Sequence, residues 1–119
     1  MLKNKKTDVE ILKKILKHCN HINTDVNAMG TYEVFENDHV YQRASSQSLQ
    51  QISELAKGLS DATINRSKEI NWKGLKGFRT FVAHEYEALD WRIVWDLMKI
   101  KAPMLKQSCE RLINEMDYK

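Results

Sequence analysis

Apolar residues recur along this chain at three- and four-residue steps, and no window sustains two-residue alternation, so the pattern predicts helices and no strands. Val9, Leu12, Ile15, Leu16, Cys19 and Ile22 line one side of the first such segment, while Lys13, Lys14 and Lys17 take the other. Thr7-Asp8-Val9-Glu10 has the form of a capping box, in which the Thr hydroxyl and Glu carboxylate satisfy free amides at a helix start. The first helix is therefore predicted from residue 7 to about 22. Asn23 to Gly30 is rich in turn formers and is expected to leave it.

"TYEVFEND", residues 31–38, predicts a short helical turn before a second start at Asn37 or Asp38. The long helix that follows should run to about Leu59, with Val40, Ala44, Leu49, Ile52, Leu55, Ala56 and Leu59 as its core stripe. Ser45, Ser46, Gln47, Ser48, Gln50 and Gln51 make the remainder small and polar, a face suited to close approach by another helix or chain. Ser60 to Ile70 is expected to be a polar connection. Asn71 can then cap a third helix from Trp72, with Leu75, Phe78 and Val82 in one apolar arc. Asp90 can cap a fourth, with Trp91, Val94, Trp95 and Met98 at helical spacing. Ala102-Pro103 is expected to interrupt it, since proline lacks an amide proton but suits the first turn of a new helix, here one using Leu105, Leu112, Ile113 and Met116. The expected architecture is all-α, an antiparallel bundle of four to five helices in one domain, residues 1–119.

Composition narrows the function classes. Only four Gly and one Pro in 119 residues reinforce the helical expectation, and 42% hydrophobic with 29% charged residues suits a folded domain. A net charge of +3 is too small to announce a nucleic-acid binder, yet Arg66, Lys68, Lys73, Lys76 and Arg79 face the single acid Glu69 between residues 66 and 79. That run is a candidate phosphate patch or a solvated helix face. Cys19 and Cys109 form no CxxC pair and are expected to be reduced, half-buried thiols. The basic start lacks the apolar run of a signal peptide and no stretch approaches a membrane span, so a cytoplasmic protein is expected. His18, His21 and His39 lack a third ligand at suitable spacing, so no metal is expected, and Trp72, Trp91 and Trp95 read as core.

The candidate chemistry sits in "RTFVAHEY", residues 79–86. An arginine and a histidine are what metal-independent RNA cleavage needs, an imidazole to move a proton and a permanent cation to steady a charged phosphorane. On an ideal helix Tyr86 lies almost above Arg79, whereas His84 is displaced by roughly 140°. A working site would thus require the helix to end near His84 or a twofold-related copy to complete the cleft. The alternative is structural: Arg79 pairs with Glu85 or Glu87, and His84 caps a helix end.

Arg79, four residues, His84, one residue, Tyr86 resembles the R-x4-H-x-Y signature of the HEPN superfamily, specifically its HepT-like toxins. "INWKGLKGFRTFVAHEYEALDWRIVWDLMKIKAPML" is similar to that family's central stretch, and "LQQISELAKGLS" to its preceding helix, with Glu54 in place and Ser53 where glycine is usual. The resemblance implies a HEPN-like bundle that dimerises, and a homodimeric endoribonuclease toxin of a toxin–antitoxin module, with tRNA or another RNA as target. It implies Arg79 and His84 as the catalytic pair, Thr80 as a supporting residue where Asn or Asp is common, and no cofactor. It further implies an MntA-like minimal nucleotidyltransferase antitoxin that uses ATP to place AMP on Tyr86. Arg66, Lys73 and Lys76 are then candidates for RNA binding. A second class stays open, a catalytically silent scaffold for a nucleotidyltransferase or a nucleotide.

Overall fold

α1 (Lys5–Met29) outruns its predicted limits at both ends, and burial explains the extension beyond residue 22. The computed structural model describes residues 5–116; residues 1–4 of the basic start and 117–119 lie outside the described residues. Val9, Leu12, Ile15, Cys19, Ile22, Val26 and Met29 form one unbroken buried stripe. Val26 and Met29 carry it through the stretch expected to turn. Burying two such side chains is worth about 3 kcal/mol or more, which outweighs the ~0.5 kcal/mol by which each Asn, Thr or Asp disfavours a helix. The chain leaves the helix at Gly30, where φ is +78° and the N–H bonds the Val26 carbonyl at 2.8 Å. Only glycine enters that left-handed cap without strain.

The expected capping box does not form, because the helix is already running at Lys5 and holds Thr7 and Asp8 within it. Asp8 turns inward instead. Its carboxylate accepts the Ser60 N–H at 3.1 Å and the hydroxyls of Ser60 and Thr63.

Thr31 caps α2 (Tyr32–Glu36) and Asp38 caps α3 (His39–Ala56), accepting the N–H groups of Val40 and Tyr41. The core face of α3 is rotated from its predicted stripe: Val40 and Ala44 are exposed, while Ser45, Ser46 and Ser53 are buried with Leu49, Ile52 and Ala56. Helices lie on both sides of α3, and small residues let their backbones come close. Beyond it, Gly58 lies so near α1 that a Cβ there would meet the Ile11 Cδ1 at 2.9 Å.

The predicted polar connection contains a further turn, α4 (Asp61–Asn65), capped by Ser60. Ser67, buried just after it, accepts the Trp72 indole N–H at 2.9 Å and fixes the start of α5 (Trp72–Glu85). Asn71 caps α5 as predicted, its side-chain oxygen accepting the Gly74 N–H at 2.9 Å. A 3-10 turn (Tyr86–Ala88) follows, and Asp90 caps α6 (Trp91–Asp96). Ala102-Pro103 does not interrupt what comes next. Leu97–Lys101 form a π turn, the Ala102 N–H bonds the Leu97 carbonyl five residues back, and α7 (Ala102–Met116) continues directly. The wider turn absorbs the bond that Pro103 cannot donate.

α3 and α7 pack on either side of α1, and α5 packs on α3. Asp8, at the start of α1, meets Ser60 just beyond α3, and Thr63 joins that carboxylate to Met116 at the end of α7, so both neighbours run antiparallel to α1. The result is the expected all-α antiparallel bundle, 46 × 29 × 21 Å, with no strand among the described residues. No helix of the described residues is long and apolar enough to cross a membrane.

Candidate functional site

Arg79, Thr80 and His84 lie on α5, the helix at the open edge of the bundle, and all three are exposed. Arg79 extends toward α3, where its Nη1 meets the Glu54 Oε1 at 3.0 Å; the same carboxylate oxygen lies 3.5 Å from the Lys57 Nζ. The pairing expected of a purely local arrangement, with Glu85 or Glu87, is replaced by this cross-helix one. Glu54 is 25 residues away, so helical spacing carried no hint of the contact, and only the family resemblance had singled it out. Its neighbour Ser53 is also engaged. The Ser53 hydroxyl donates to the Lys76 carbonyl at 3.0 Å and accepts the Arg79 backbone N–H at 3.3 Å.

The helix ends one residue after His84. Glu85 leaves helical geometry at φ −131°, ψ 26°, and Tyr86 opens the 3-10 turn. Extending an ideal helix to place Tyr86 above Arg79 therefore fails. The Tyr86 ring instead packs edge-on against Trp91, with centroids 5.7 Å apart. Trp91 in turn meets Phe35, which meets Trp95, which meets Tyr32, so the phenol ends a continuous series of ring contacts. Arg92 lies over the Tyr32 ring at 4.7 Å.

Arg79 and His84 both lie on the regular part of α5, and both are exposed. Five residues of helix separate them by about 7.5 Å along the axis and roughly 140° around it.

The basic run divides by partner. Arg66 pairs with Glu115 at 2.6 Å and its carbonyl accepts from Arg111 at 3.1 Å, which ties it to α7. Lys73 is exposed and Lys76 half-buried on α5, the helix that carries Arg79. Glu69, the lone acid of the run, accepts from Ser108 at 2.6 Å and Arg111 at 2.8 Å; those bonds pull its carboxyl down to about 2.

Other candidates fall outside the site. Among the described residues, no three His, Cys, Asp or Glu side chains are grouped to hold a metal ion. The His18 and His21 rings meet edge-on at 5.8 Å, and burial, with the charges of His21 and Lys17, lowers the His18 titration. His39 is exposed at the start of α3. Cys19 and Cys109 are free and fully buried rather than half-buried, and burial pushes each thiol up to about 12. All three tryptophans pack with the core, as predicted.

Comparison with known proteins identifies the family. The family model described as Ribonuclease HepT-like matches residues 8–112. A Methanocaldococcus jannaschii protein named "Putative RNase MJ0127" is 31% identical over 113 residues, covering 94% of this chain and 93% of that protein. "Putative RNase TTE0752" of Caldanaerobacter subterraneus subsp. tengcongensis is 28% identical over 110 residues, covering 92% and 97%. No solved structure matches the chain. A family match over nearly the whole length, with relatives aligned end to end, places this all-helical chain among the HepT-like ribonucleases.

Proposed function

We propose that this chain is a metal-independent endoribonuclease toxin of a toxin–antitoxin module, active as a homodimer on tRNA or another RNA. The observation that carries the proposal is the exposed pair on α5: Arg79, whose guanidinium meets Glu54, and His84 near the helix end, set on different sides of one helix. Two copies related by a twofold axis would bring the guanidinium of each to the imidazole of the other. In that cleft His84 takes the proton of a ribose 2′-hydroxyl as its oxygen attacks the adjacent phosphorus. Arg79 steadies the charge that builds on the phosphorane oxygens, and the 5′-oxygen leaves with a proton taken from the imidazolium so formed or from water, giving a 2′,3′-cyclic phosphate. Thr80 offers a hydroxyl beside Arg79. Lys73 and Lys76 continue the cationic face of α5, and Arg66 joins them only by releasing Glu115, so RNA binding is expected to weaken as salt rises.

Tyr86 supplies the off switch in this proposal. Its phenol oxygen attacks the α-phosphorus of ATP, pyrophosphate leaves, and AMP remains on the ring through the action of a cognate MntA-like minimal nucleotidyltransferase antitoxin. The adduct is bulky and anionic, and it would stand beside the RNA path. The ion pair between Arg79 and Glu54 favours a second reading, in which the guanidinium is committed to structure and the chain is a catalytically silent scaffold for its nucleotidyltransferase or a nucleotide.

Purified, unmodified protein should cleave RNA in the presence of a chelator and lose that activity on Arg79→Ala or His84→Ala. Mixing the two inactive variants should restore part of it, because each mixed dimer carries one intact Arg79–His84 pair beside one doubly altered site. No cleavage by the wild-type protein favours the scaffold, and cleavage without recovery on mixing refutes the shared site. Co-expression with the nucleotidyltransferase should add whole AMP masses that Tyr86→Phe abolishes, read by intact-mass spectrometry.

A further inference from the structure

Ser53 is completely buried, yet its hydroxyl does not serve its own helix. It reaches across to α5 and engages two backbone groups three residues apart, the Lys76 carbonyl as donor at 3.0 Å and the Arg79 N–H as acceptor at 3.3 Å. The next residue, Glu54, holds the guanidinium of the same arginine at 3.0 Å. Two consecutive positions of α3 thus grip both ends of Arg79.

Elsewhere α5 is anchored at its start by the Trp72 indole bond to Ser67 and farther on by buried Val82, and the turns between them are held less directly. Leu75 and Phe78 face the bundle only half-buried, over a groove of about 300 Å³ that opens toward Leu97, Met104 and Leu105. Apolar contact of this kind resists separation but fixes rotation poorly, since it has no preferred angle. Rotation matters here. A guanidinium carried about 6 Å from a helix axis moves ~1 Å when the helix turns by ~10°, and ~1 Å of misplacement costs up to ~100-fold in rate.

We infer that Ser53 is a positioning residue, whose hydroxyl pins the turn of α5 bearing Arg79 to α3 and so aims the guanidinium that Glu54 holds. The inference rests on the ribonuclease reading of Arg79. The serine does what a glycine or alanine at this position cannot, because neither has a group to place between the Lys76 carbonyl and the Arg79 amide.

The test joins amide exchange to kinetics on the full chain. Ser53→Ala should speed exchange of the Arg79 amide severalfold while α1 amides stay unchanged, and it should lower kcat about tenfold with KM within twofold. In an Arg79→Lys background the same change should cost nothing further, since the guanidinium it aims is gone. Ser53→Cys, close in volume but a much weaker hydrogen-bonding group, repeats the test with packing preserved and covers a failure of the alanine variant to fold. Unchanged Arg79 exchange overturns the inference, as does an unchanged kcat, or a kcat loss that persists in full in the Arg79→Lys background. Should the wild-type protein not cleave RNA, the ribonuclease reading falls by itself, and Arg79 exchange alone decides whether Ser53 holds this turn.

Discussion

Asp8 and Glu54 are both carboxylates that join one helix to another segment, and burial separates their weights. Asp8 is 1% exposed and accepts hydrogen bonds from Ser60 and Thr63, so removing it strands buried donors. Asp8→Ala should lower unfolding free energy by about 3 kcal/mol in urea titration. Glu54 is half exposed in its pair with Arg79, and Glu54→Gln should change stability by less than about 1 kcal/mol. Glu69 adds a pH signature. Its hydrogen bonds from Ser108 and Arg111 hold the folded carboxyl near 2, below its ordinary 4.5. The stabilisation is complete above about 4.5 and is lost as pH falls toward 2, because the unfolded chain takes up the proton first. Thermal melts from pH 5 to 2 should therefore fall less steeply for Glu69→Gln than for the parent; equal slopes would exclude the linkage.

At the scale of helices, what was legible in the sequence was local. The caps at Asp38, Asn71 and Asp90 stand where predicted, since each needs only a side-chain oxygen and amides two or three residues on. What was illegible depended on contacts distant in sequence. The letters 23–29 favour a turn until Val26 and Met29 are buried by neighbours that the chain reaches only later. Thr7 and Asp8 suggest a cap until Ser60 and Thr63 claim the carboxylate. Pro103 reads as a break unless the preceding turn widens. Gly30 closes α1 in a backbone region that other residues enter at a cost, with open space around the position of a Cβ. Gly30→Ala should thus cost about 1 kcal/mol, all of it backbone strain, and a denaturation midpoint at or above the parent's would exclude that cap.

For the whole molecule, periodicity was enough to give an all-helical bundle, but not the order α7–α1–α3–α5 that leaves α5 at an edge. That placement decides what the site can be. The sequence put Arg79, His84 and Tyr86 within eight residues, and the fold then sends each a different way, Arg79 to Glu54, His84 to solvent and Tyr86 to Trp91. Helical spacing had already set His84 apart from Arg79 and Tyr86, and the helix end at Glu85 parts Tyr86 from Arg79 as well.

The contact between Tyr86 and Trp91 carries a practical consequence. Indole emission responds to whatever touches the ring, and Trp91 is the fluorophore touching the proposed acceptor of AMP. A nucleotide joined to the phenol would disturb this edge-on packing and bring a purine close enough to quench the indole. Emission should therefore drop in step with modification and recover when the adduct is removed, a response that Trp91→Phe abolishes while Trp72 and Trp95 keep glowing. The modification state of Tyr86 could then be followed in a fluorimeter in real time, with no label added and no RNA consumed.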